Sequence, residues 1–453
     1  MTVRTRTRTP AAPPLTVADV EALSKLNNEP QWLREKRLAA WELYESLPMP
    51  GTAEEAWRRT DYRRIKWQEA GQIVEPAGRA DLAVIPAQHY APLVGDRQGG
   101  LVAHVNSTVA ARELADELAE KGVIFTDLVT AVHEHPELVE QHLMTSVVKP
   151  EDGKFAALHA ALWTHGVFLY VPRGVAVELP VHSVFYPTEA GMTLGHILVV
   201  VEDGAQVTYL HEYASPTLEA QSAYVGVTEL LVGEGARLQY VALQNWGRNL
   251  YEFSHKRAKV GRDGYLDWVA GSMGGKLFKV FMEVDLDEQG ATGRMSGLYF
   301  ADDQQLMDHD TQQNHNAPHT TSDLLFKGAL KDKSRSVWQG MIYVDPVAQK
   351  TDGFQANRNL MLSRQCRADS IPGLEILADD VRCTHAATLS QLDQEPIFYL
   401  MSRGIPRAEA ERLAVDGFFG PIMDRIPFEA VRERLQESID AKLLGESGSV
   451  LRI

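Results

Sequence analysis

The feature that most constrains the fold of this chain is a degenerate repeat in its middle. Between about residues 166 and 388, short runs rich in Val, Leu, Tyr and Phe alternate with Gly-Ala or Asp-Gly corners. The corner glycines follow one another at intervals of 31, 29 and 26 residues, at Gly204, Gly235, Gly264 and Gly290. Repeats of this size are typical of architectures in which each unit buries its apolar face only against its neighbours.

This repeat predicts a β-helix or a closely related β-solenoid. Glycine suits the corners because it adopts a positive φ without a clash at Cβ. An ordinary β-sandwich is the alternative on spacing alone, because sandwich turns recur every 8–12 residues or so.

The segments on either side of the repeat have a different sequence pattern. Alternating Arg and Thr, followed by Pro10, Pro13 and Pro14, predict a disordered tail over residues 1–15. We expect a mostly helical domain over residues 16–150, the β-helix core over 151–390 and a C-terminal helical domain over 391–453.

Three helix predictions fall in the N-terminal domain. Pro30 opens a helix that Pro48 ends, and Ala110–Leu118 is a second helical stretch. Thr126-Asp127-Leu128 begins a third helix, because a Thr or Asp side chain can accept a hydrogen bond from the free amides of a first turn.

The sequence of the C-terminal domain predicts helices with clear boundaries. Asp393 lies at the start of one helix and Gly404 ends it. The last helix carries an apolar stripe of Val431, Leu435 and Ile439. We expect this domain to cap the open edge of the solenoid.

Composition excludes several classes of function. The formal net charge of −16 disfavours a general nucleic-acid binder and adhesion to anionic membranes, since both need a basic face. No run approaches the roughly 18 apolar residues of a membrane span, and the N-terminus has no secretory h-region. Two cysteines rule out a disulfide framework and fit a reducing compartment, so we expect the cytoplasm.

A cluster of polar residues offers one candidate metal site. Asp308-His309-Asp310-Thr311 is followed by His315 and His319, and imidazoles with carboxylates suit a hard or borderline metal. One hypothesis is therefore a β-helix metalloenzyme that uses the three histidines. The alternative is a polar turn whose histidines bond to backbone, since the spacing matches no metal signature and HEXXH is absent.

Cys383-Thr384-His385 forms a second candidate. On a strand, residues two apart point to the same side, so thiol and imidazole would share a face and could bind iron, zinc or sulfur. The alternative is a pair of buried structural residues, and Cys366 on its own is an incidental thiol. Walker, GxSxG and CxxC motifs are absent from the sequence, which disfavours ATP hydrolysis and a cluster held by four thiolates of this chain.

Taken together, several segments resemble the SufB/SufD family of iron–sulfur assembly scaffold subunits, and the SufD branch more closely. The resemblance runs from about Glu29 to Leu443. The segments that carry it are Phe155–Leu162 with Gly166–Val175, Asp308–Thr311, Gln349–Asp352 with Gln355–Leu360, Ile371–Ile376, Asp379–His385, and Phe398–Leu400 with Ser402–Ile405.

The resemblance implies a right-handed parallel β-helix between helical terminal domains, in a non-catalytic assembly subunit. It implies that the C-terminal helices bind the ATPase SufC and that the β-helix pairs with SufB or with a second copy of the chain. The assembly as a whole would build a transient iron–sulfur cluster at the interface with SufB, and none would be tightly bound by this chain alone. A purely structural adaptor that recruits SufC is a further hypothesis.

The assignment to the SufD branch depends on individual positions. The scaffold cysteine of SufB-like chains falls on Asn357 here, and SufD-like chains carry the Cys-x-His pattern of Cys383 and His385. The resemblance therefore implies that His385, with Cys383, is the contribution of this chain to the cluster-forming interface. His309 and His315 stay as further metal candidates, and Cys366 matches no SufD role.

Overall fold

The computed structural model describes residues 10–95 and 97–445 of the chain. Residues 1–9 of the predicted tail and residues 446–453 of the predicted C-terminal domain lie outside the described residues. Within these two ranges, no helix is long and apolar enough to cross a membrane.

The N-terminal part combines helices with three short strands. The helices are α1 (Val17–Leu26), α2 (Gln31–Ser46), α3 (Trp67–Ala70), α4 (Asp116–Glu120), α5 (Leu128–Glu134), α6 (Pro136–His142) and α7 (Lys154–Leu162). The strands are β1 (Gly100–Val105), β2 (Thr108–Leu114) and β3 (Ile124–Asp127).

Two of the three predicted N-terminal helices are confirmed. Helix α2 begins after Pro30 and ends before Pro48, and the Asp127 carboxylate caps α5 by accepting from the Thr130 N–H at 2.9 Å. The helix predicted over Ala110–Leu118 is confirmed only in its last residues, which belong to α4. Its first half belongs to β2, which pairs antiparallel with β1, because sheet pairing overrides the helix propensity of its alanines.

The middle of the chain is a solenoid of short strands. They are β4 (His165–Val171), β5 (Val181–Tyr186), β6 (Met192–Val201), β7 (Gln206–Ala214), β8 (Ser222–Val232), β9 (Arg237–Asn245), β10 (Leu250–Val260), β11 (Tyr265–Ser272), β12 (Leu277–Leu286), β13 (Thr292–Ala301), β14 (Leu306–His315), β15 (Thr321–Leu330), β16 (Arg335–Val344), β17 (Asp352–Met361), β18 (Arg367–Ile376) and β19 (Arg382–Gln391).

Each coil of the solenoid gives one strand to each of two sheets. The even-numbered strands β4 to β18 stack in one sheet, which β3 extends, and the odd-numbered strands β5 to β19 stack in the other, which β1 and β2 extend. All pairs between successive coils are parallel and in register, and the described strands make about eight coils. The solenoid prediction is thus confirmed, and the sandwich alternative is wrong.

One corner of the coils explains the glycine repeat. Gly204, Gly235 and Gly290 have φ values of +67°, +62° and +78°, and each amide donates to a carbonyl of the next coil. Gly264 is not part of this row, because the preceding residue, Asp263, takes the corner position with a φ of +53°. Asparagine and aspartate tolerate this conformation better than most other residues, which is why the repeat is degenerate in sequence.

Three apolar layers hold the molecule together: the interior of the coils, the contact of the N-terminal helices with the solenoid, and the contact of the C-terminal helices with it. Side chains of both sheets meet inside the coils, as Trp268 and Val280 do. The N-terminal helices cover the outer face of the even-numbered sheet, where Phe155 of α7 stacks on Phe253 of β10 at a ring separation of 4.2 Å. These layers bury the apolar faces that no single coil could bury alone.

The C-terminal helices are α8 (Gln394–Ser402), α9 (Arg407–Met423) and α10 (Glu429–Leu444). The predicted boundaries are confirmed, since Asp393 caps α8 and Gly404 follows it with a φ of +88°. The stripe of Val431, Leu435 and Ile439 is buried, against the outer face of the odd-numbered sheet.

The expectation that this domain caps the solenoid is therefore wrong. Helices α9 and α10 lie along one face of the sheet because their apolar residues match the apolar outer face of its strands. Among the described residues, β18 and β19 each pair with only one neighbour, so the end of the solenoid is open.

Candidate functional site

Cys383 and His385 lie on β19, the outermost strand of the open end. Cys383 is in register with Gly353, and His385 with Gln355, both of which are buried on β17. Since parallel strands in register keep the same side-chain direction, Cys383 and His385 face the interior of the coils at its mouth. The predicted shared face is therefore present, and the His385 side chain is exposed because no further coil lies over it.

The Cys383 thiol is half-buried at this mouth. It packs beside the apolar cluster that contains Ile342 and Val344, and a Cβ added to Gly353 would lie 3.3 Å from its sulfur. Burial raises the pKa of the thiol above its ordinary value. The group is accordingly protonated near neutral pH and becomes a thiolate ligand only where a metal displaces the proton.

Charged pairs surround the mouth of the coils. Arg382, next to Cys383, forms an ion pair with Asp352 at 3.0 Å, and Lys350 pairs with Asp380. All four side chains are largely exposed, so these pairs contribute little to stability. Positive and negative side chains therefore surround the thiol and the imidazole.

The three histidines of the other candidate site do not come together. His309 lies inside the coils, 4.9 Å in ring separation from both Phe278 and Tyr299, and burial lowers its pKa to about 3. His315 is also buried, with its ring nitrogens 2.7 Å from the Thr320 hydroxyl and 2.8 Å from the Ser322 hydroxyl. Residues 10–95 and 97–445 contain no group of three or more His, Cys, Asp or Glu residues placed to hold a metal.

His319 occupies a third environment, the corner between β14 and β15. It is exposed and has a φ of +57°, and its amide donates to the Gln349 carbonyl as the corner glycines do with theirs. In backbone terms it therefore continues the glycine row.

One carboxylate of the same segment, that of Asp308, binds the N-terminal part to the solenoid. Asp308 points outward on β14 and is fully buried, with Lys279 Nζ at 3.1 Å and the Thr60 hydroxyl as a further donor. Asp310 lies 3.5 Å from the same ammonium, and burial raises its pKa to about 6. This arrangement explains the Asp-His-Asp pattern by alternation, since the carboxylates face the N-terminal helices and His309 faces the interior.

The remaining candidates are satisfied by local contacts. Cys366 is buried before β18, with its thiol 2.9 Å from the Ser363 carbonyl, and the length of that strand separates it from Cys383. Asn357, at the position of the SufB-type cysteine, is buried inside the coils and donates to the Tyr299 hydroxyl at 3.3 Å.

Comparison with known proteins decides the family. A family model described as "SUF system FeS cluster assembly, SufBD core domain" matches residues 185–418, and one for the "SufBD protein N-terminal region" matches residues 21–182. The chain belongs to the SufBD family. The core match contains Cys383 and His385, so both belong to the family's core domain in this chain.

Curated members of the SufBD family are similar over nearly their whole length. The iron–sulfur cluster assembly protein SufD of Bacillus subtilis is 33% identical over 94% of this chain and 97% of its own length. SufBD family proteins of Staphylococcus epidermidis and Staphylococcus haemolyticus are 30% and 31% identical, each over 92% of this chain and 90% of their own length. The resemblance to the SufD branch is thereby confirmed.

Two features of the site were missed by the sequence analysis. The first is the open end itself, which depends on where the C-terminal helices pack. The second is the apolar surface of α8, where Phe398 and Tyr399 are 72% and 56% exposed and Met401 is 41% exposed. The run of apolar residues in the second half of α8 was a signal for this surface, but it does not reveal which side is covered.

Proposed function

We propose that this SufBD-family chain is a SufD-like accessory subunit that supplies His385 to a nascent iron–sulfur cluster at a subunit interface. The observation that carries this proposal is the exposed imidazole on the outermost, half-paired strand of the solenoid, beside the Cys383 thiol. A group at this position can reach a cluster that forms between two solenoid ends, whereas His309 and His315 are enclosed.

The chemistry of the two side chains suits this role. Neutral imidazole binds iron, and a thiol binds it after losing a proton. Iron–sulfur clusters need about four protein ligands. This mouth supplies at most two, from His385 and Cys383, so the remaining thiolates belong to a partner of the SufB type. The cluster is then the cargo of the assembly rather than a resident cofactor of this chain.

The open end and the C-terminal helices supply two surfaces for partners. Strands β18 and β19 each have one unpaired edge, which suits the end of a second solenoid, whether SufB or another copy of this chain. The apolar surface of Phe398, Tyr399 and Met401 on α8 suits the ATPase SufC. The sequence has no Walker motif, so we assign ATP hydrolysis to that partner and a non-catalytic, cytoplasmic role to this chain.

The experiment is cluster formation by the complex reconstituted anaerobically with SufB and SufC. We expect His385→Ala to lower the yield of cluster severalfold without changing complex formation or thermal stability, since the side chain is exposed. The matched control is His319→Asn, which changes an exposed histidine of the same solenoid away from the open end. A yield unchanged by His385→Ala, with SufC still bound, would instead support the purely structural adaptor.

A further inference from the structure

A chain of buried polar groups lies between the N-terminal helices and the solenoid, away from the open end. His159 of α7, His196 of β6 and Glu229 of β8 are fully buried. His159 Nε2 lies 3.0 Å from His196 Nδ1, and His196 Nε2 lies 3.1 Å from Glu229 Oε2. The Glu229 carboxyl group also accepts from the N–H groups of Met144 and Val148, at 2.7 and 3.1 Å. Glu229 thus joins two coils to the loop that follows α6.

The hydrogen-bond partners fix the number of protons in this cluster. The Val225 carbonyl oxygen lies 3.0 Å from His159 Nδ1 and can only accept, so Nδ1 carries a proton. If both rings are neutral, His159 Nε2 accepts from His196 Nδ1, and His196 Nε2 has no proton. Its contact with Glu229 then requires a protonated carboxyl group. If the same proton lies on His196 instead, the pair is an imidazolium and a carboxylate.

In both arrangements the cluster holds one proton more than it would if both imidazoles were neutral and the Glu229 carboxyl group were ionised. This proton is shielded from direct contact with water in the closed structure, because all three side chains are fully buried. Its loss would leave a net negative charge in the interior and one contact without a hydrogen, which is costly in a low-dielectric site.

The surroundings favour retention of the proton on Glu229. Burial raises the pKa of Glu229 to about 8, although hydrogen bonds and nearby cations act in the opposite direction. Burial lowers the pKa of His196 to about 3 and that of His159 well below its ordinary value. The charged and titratable groups that face the cluster are Lys36 and Arg37 of α2, Glu140 and His142 of α6, Glu202 after β6, and His255 of β10.

The loop held by Glu229 depends on charged side chains for its conformation. Met144 has a φ of +47°, which is uncommon for a residue with a side chain. Lys36 donates to the Leu143 carbonyl, and Arg257 donates to the Val147 carbonyl at 2.7 Å. The amides of Met144 and Val148 both donate to the Glu229 carboxyl group, which helps to hold Met144 in that conformation, and such a conformation persists only where its surroundings impose it.

We propose that His159, His196 and Glu229 form a proton-binding site that latches the loop at residues 143–148 onto the solenoid, and that loss of the shared proton loosens this loop. Opening would expose Glu229 and return its pKa toward 4.5, so opening releases a proton at every pH between 4.5 and about 8. Opened imidazoles take up protons below about 6.5, which opposes the effect there. For the carboxyl group alone, the opening equilibrium should therefore rise about 15-fold from pH 6.5 to 8, where half of the shared proton is lost, and level off at about 30-fold near pH 9.

Hydrogen exchange of the full chain, read by mass spectrometry, tests this proposal. The probe is the peptide that contains the Met144 and Val148 amides, with rates corrected for the pH dependence of intrinsic exchange. We expect the corrected protection of this peptide to fall about 15-fold from pH 6.5 to 8 and about 30-fold by pH 9, and then to stay constant. Protection that does not change over this range would overturn the proposal.

Two variants separate the cluster from other titrating groups. Glu229→Gln has no proton to lose near neutrality, so the change in protection should disappear. The matched control is Asp285→Asn, which alters a half-buried carboxyl group of the same sheet face that accepts from Asn314 at 2.7 Å, and it should keep the wild-type profile. If Glu229→Gln does not fold, His196→Gln gives the Glu229 carboxylate a permanent donor, which favours its ionised form and should move the change in protection to lower pH. A wild-type profile in either Glu229→Gln or His196→Gln would contradict the proposal, and if neither folds the wild-type titration decides alone.

Discussion

The buried pair of Lys279 and Asp308 gives the sharpest prediction for stability. Both side chains are fully buried, and the ammonium lies 3.1 Å from the carboxylate. Asp308→Ala would leave the Lys279 charge in the interior, with only Asp310 at 3.5 Å, and would remove the acceptor of the Thr60 hydroxyl. Removing one partner of a buried pair typically costs about 3–5 kcal/mol. Because Asp310 stays as a partial counter-charge, we expect the lower end, about 3 kcal/mol.

The matched variant replaces both charges by apolar groups. Lys279→Met with Asp308→Leu removes both fully buried charges and leaves the partly exposed Asp310 bonded to the Gln339 amide at 3.3 Å, so its free energy of unfolding should fall by only about 1 kcal/mol. Urea denaturation followed by tryptophan fluorescence and circular dichroism measures both variants, and coincident transitions justify a two-state analysis. A loss below about 1 kcal/mol for Asp308→Ala, or a double variant as unstable as the single one, would refute the reasoning.

Three further predictions concern the thiols, α8 and the corners. The rate at which iodoacetamide labels Cys383 should rise about tenfold per pH unit, up to a thiol pKa above the ordinary value of about 8.5. Cys366 should stay unlabelled until the chain unfolds, because it is buried, and equal labelling of both cysteines in the folded chain would contradict this difference in burial. Phe398→Asp should weaken capture of SufC at least tenfold without changing the melting temperature, because the ring is exposed; unchanged capture would place the ATPase elsewhere. Gly204→Ala should lower the free energy of unfolding by about 1 kcal/mol because its φ is +67°, whereas Gly417→Ala inside α9 should raise it by about 0.5–1 kcal/mol. Equal effects of the two variants in urea denaturation would show that the corner conformation is unimportant.

Local signals in the sequence predicted which helices and strands form better than where those elements pack. The interval of the corner glycines predicted stacked coils, and acidic residues marked two helix starts, Asp127 as a capping side chain and Asp393 as a charge that the helix dipole favours. The prediction for Ala110–Leu118 failed in its first half, because pairing with β1 determines the conformation there. That pairing is a long-range contact, which local propensity does not contain.

The candidate site shows the same division between local and long-range information. Alternation along a strand placed Cys383 and His385 on one face, and this prediction depends on two residues only. The sequence did not separate His309 from Asp308 in this way, because the polar run carries no apolar pattern to mark a strand. The open end and the exposed surface of α8 depend on how the C-terminal helices dock, which a single sequence does not encode locally.

The most direct test of the central claim is magnetic coupling between the imidazole and the cluster. This chain, labelled with ¹⁵N-histidine, would be assembled with unlabelled SufB and SufC, loaded with cluster and reduced for pulsed electron paramagnetic resonance. We predict a ¹⁵N coupling from a directly bound ring, which His385→Ala abolishes and His319→Asn preserves. A loaded cluster without any ¹⁵N coupling, or with a coupling that survives in His385→Ala, would contradict the account.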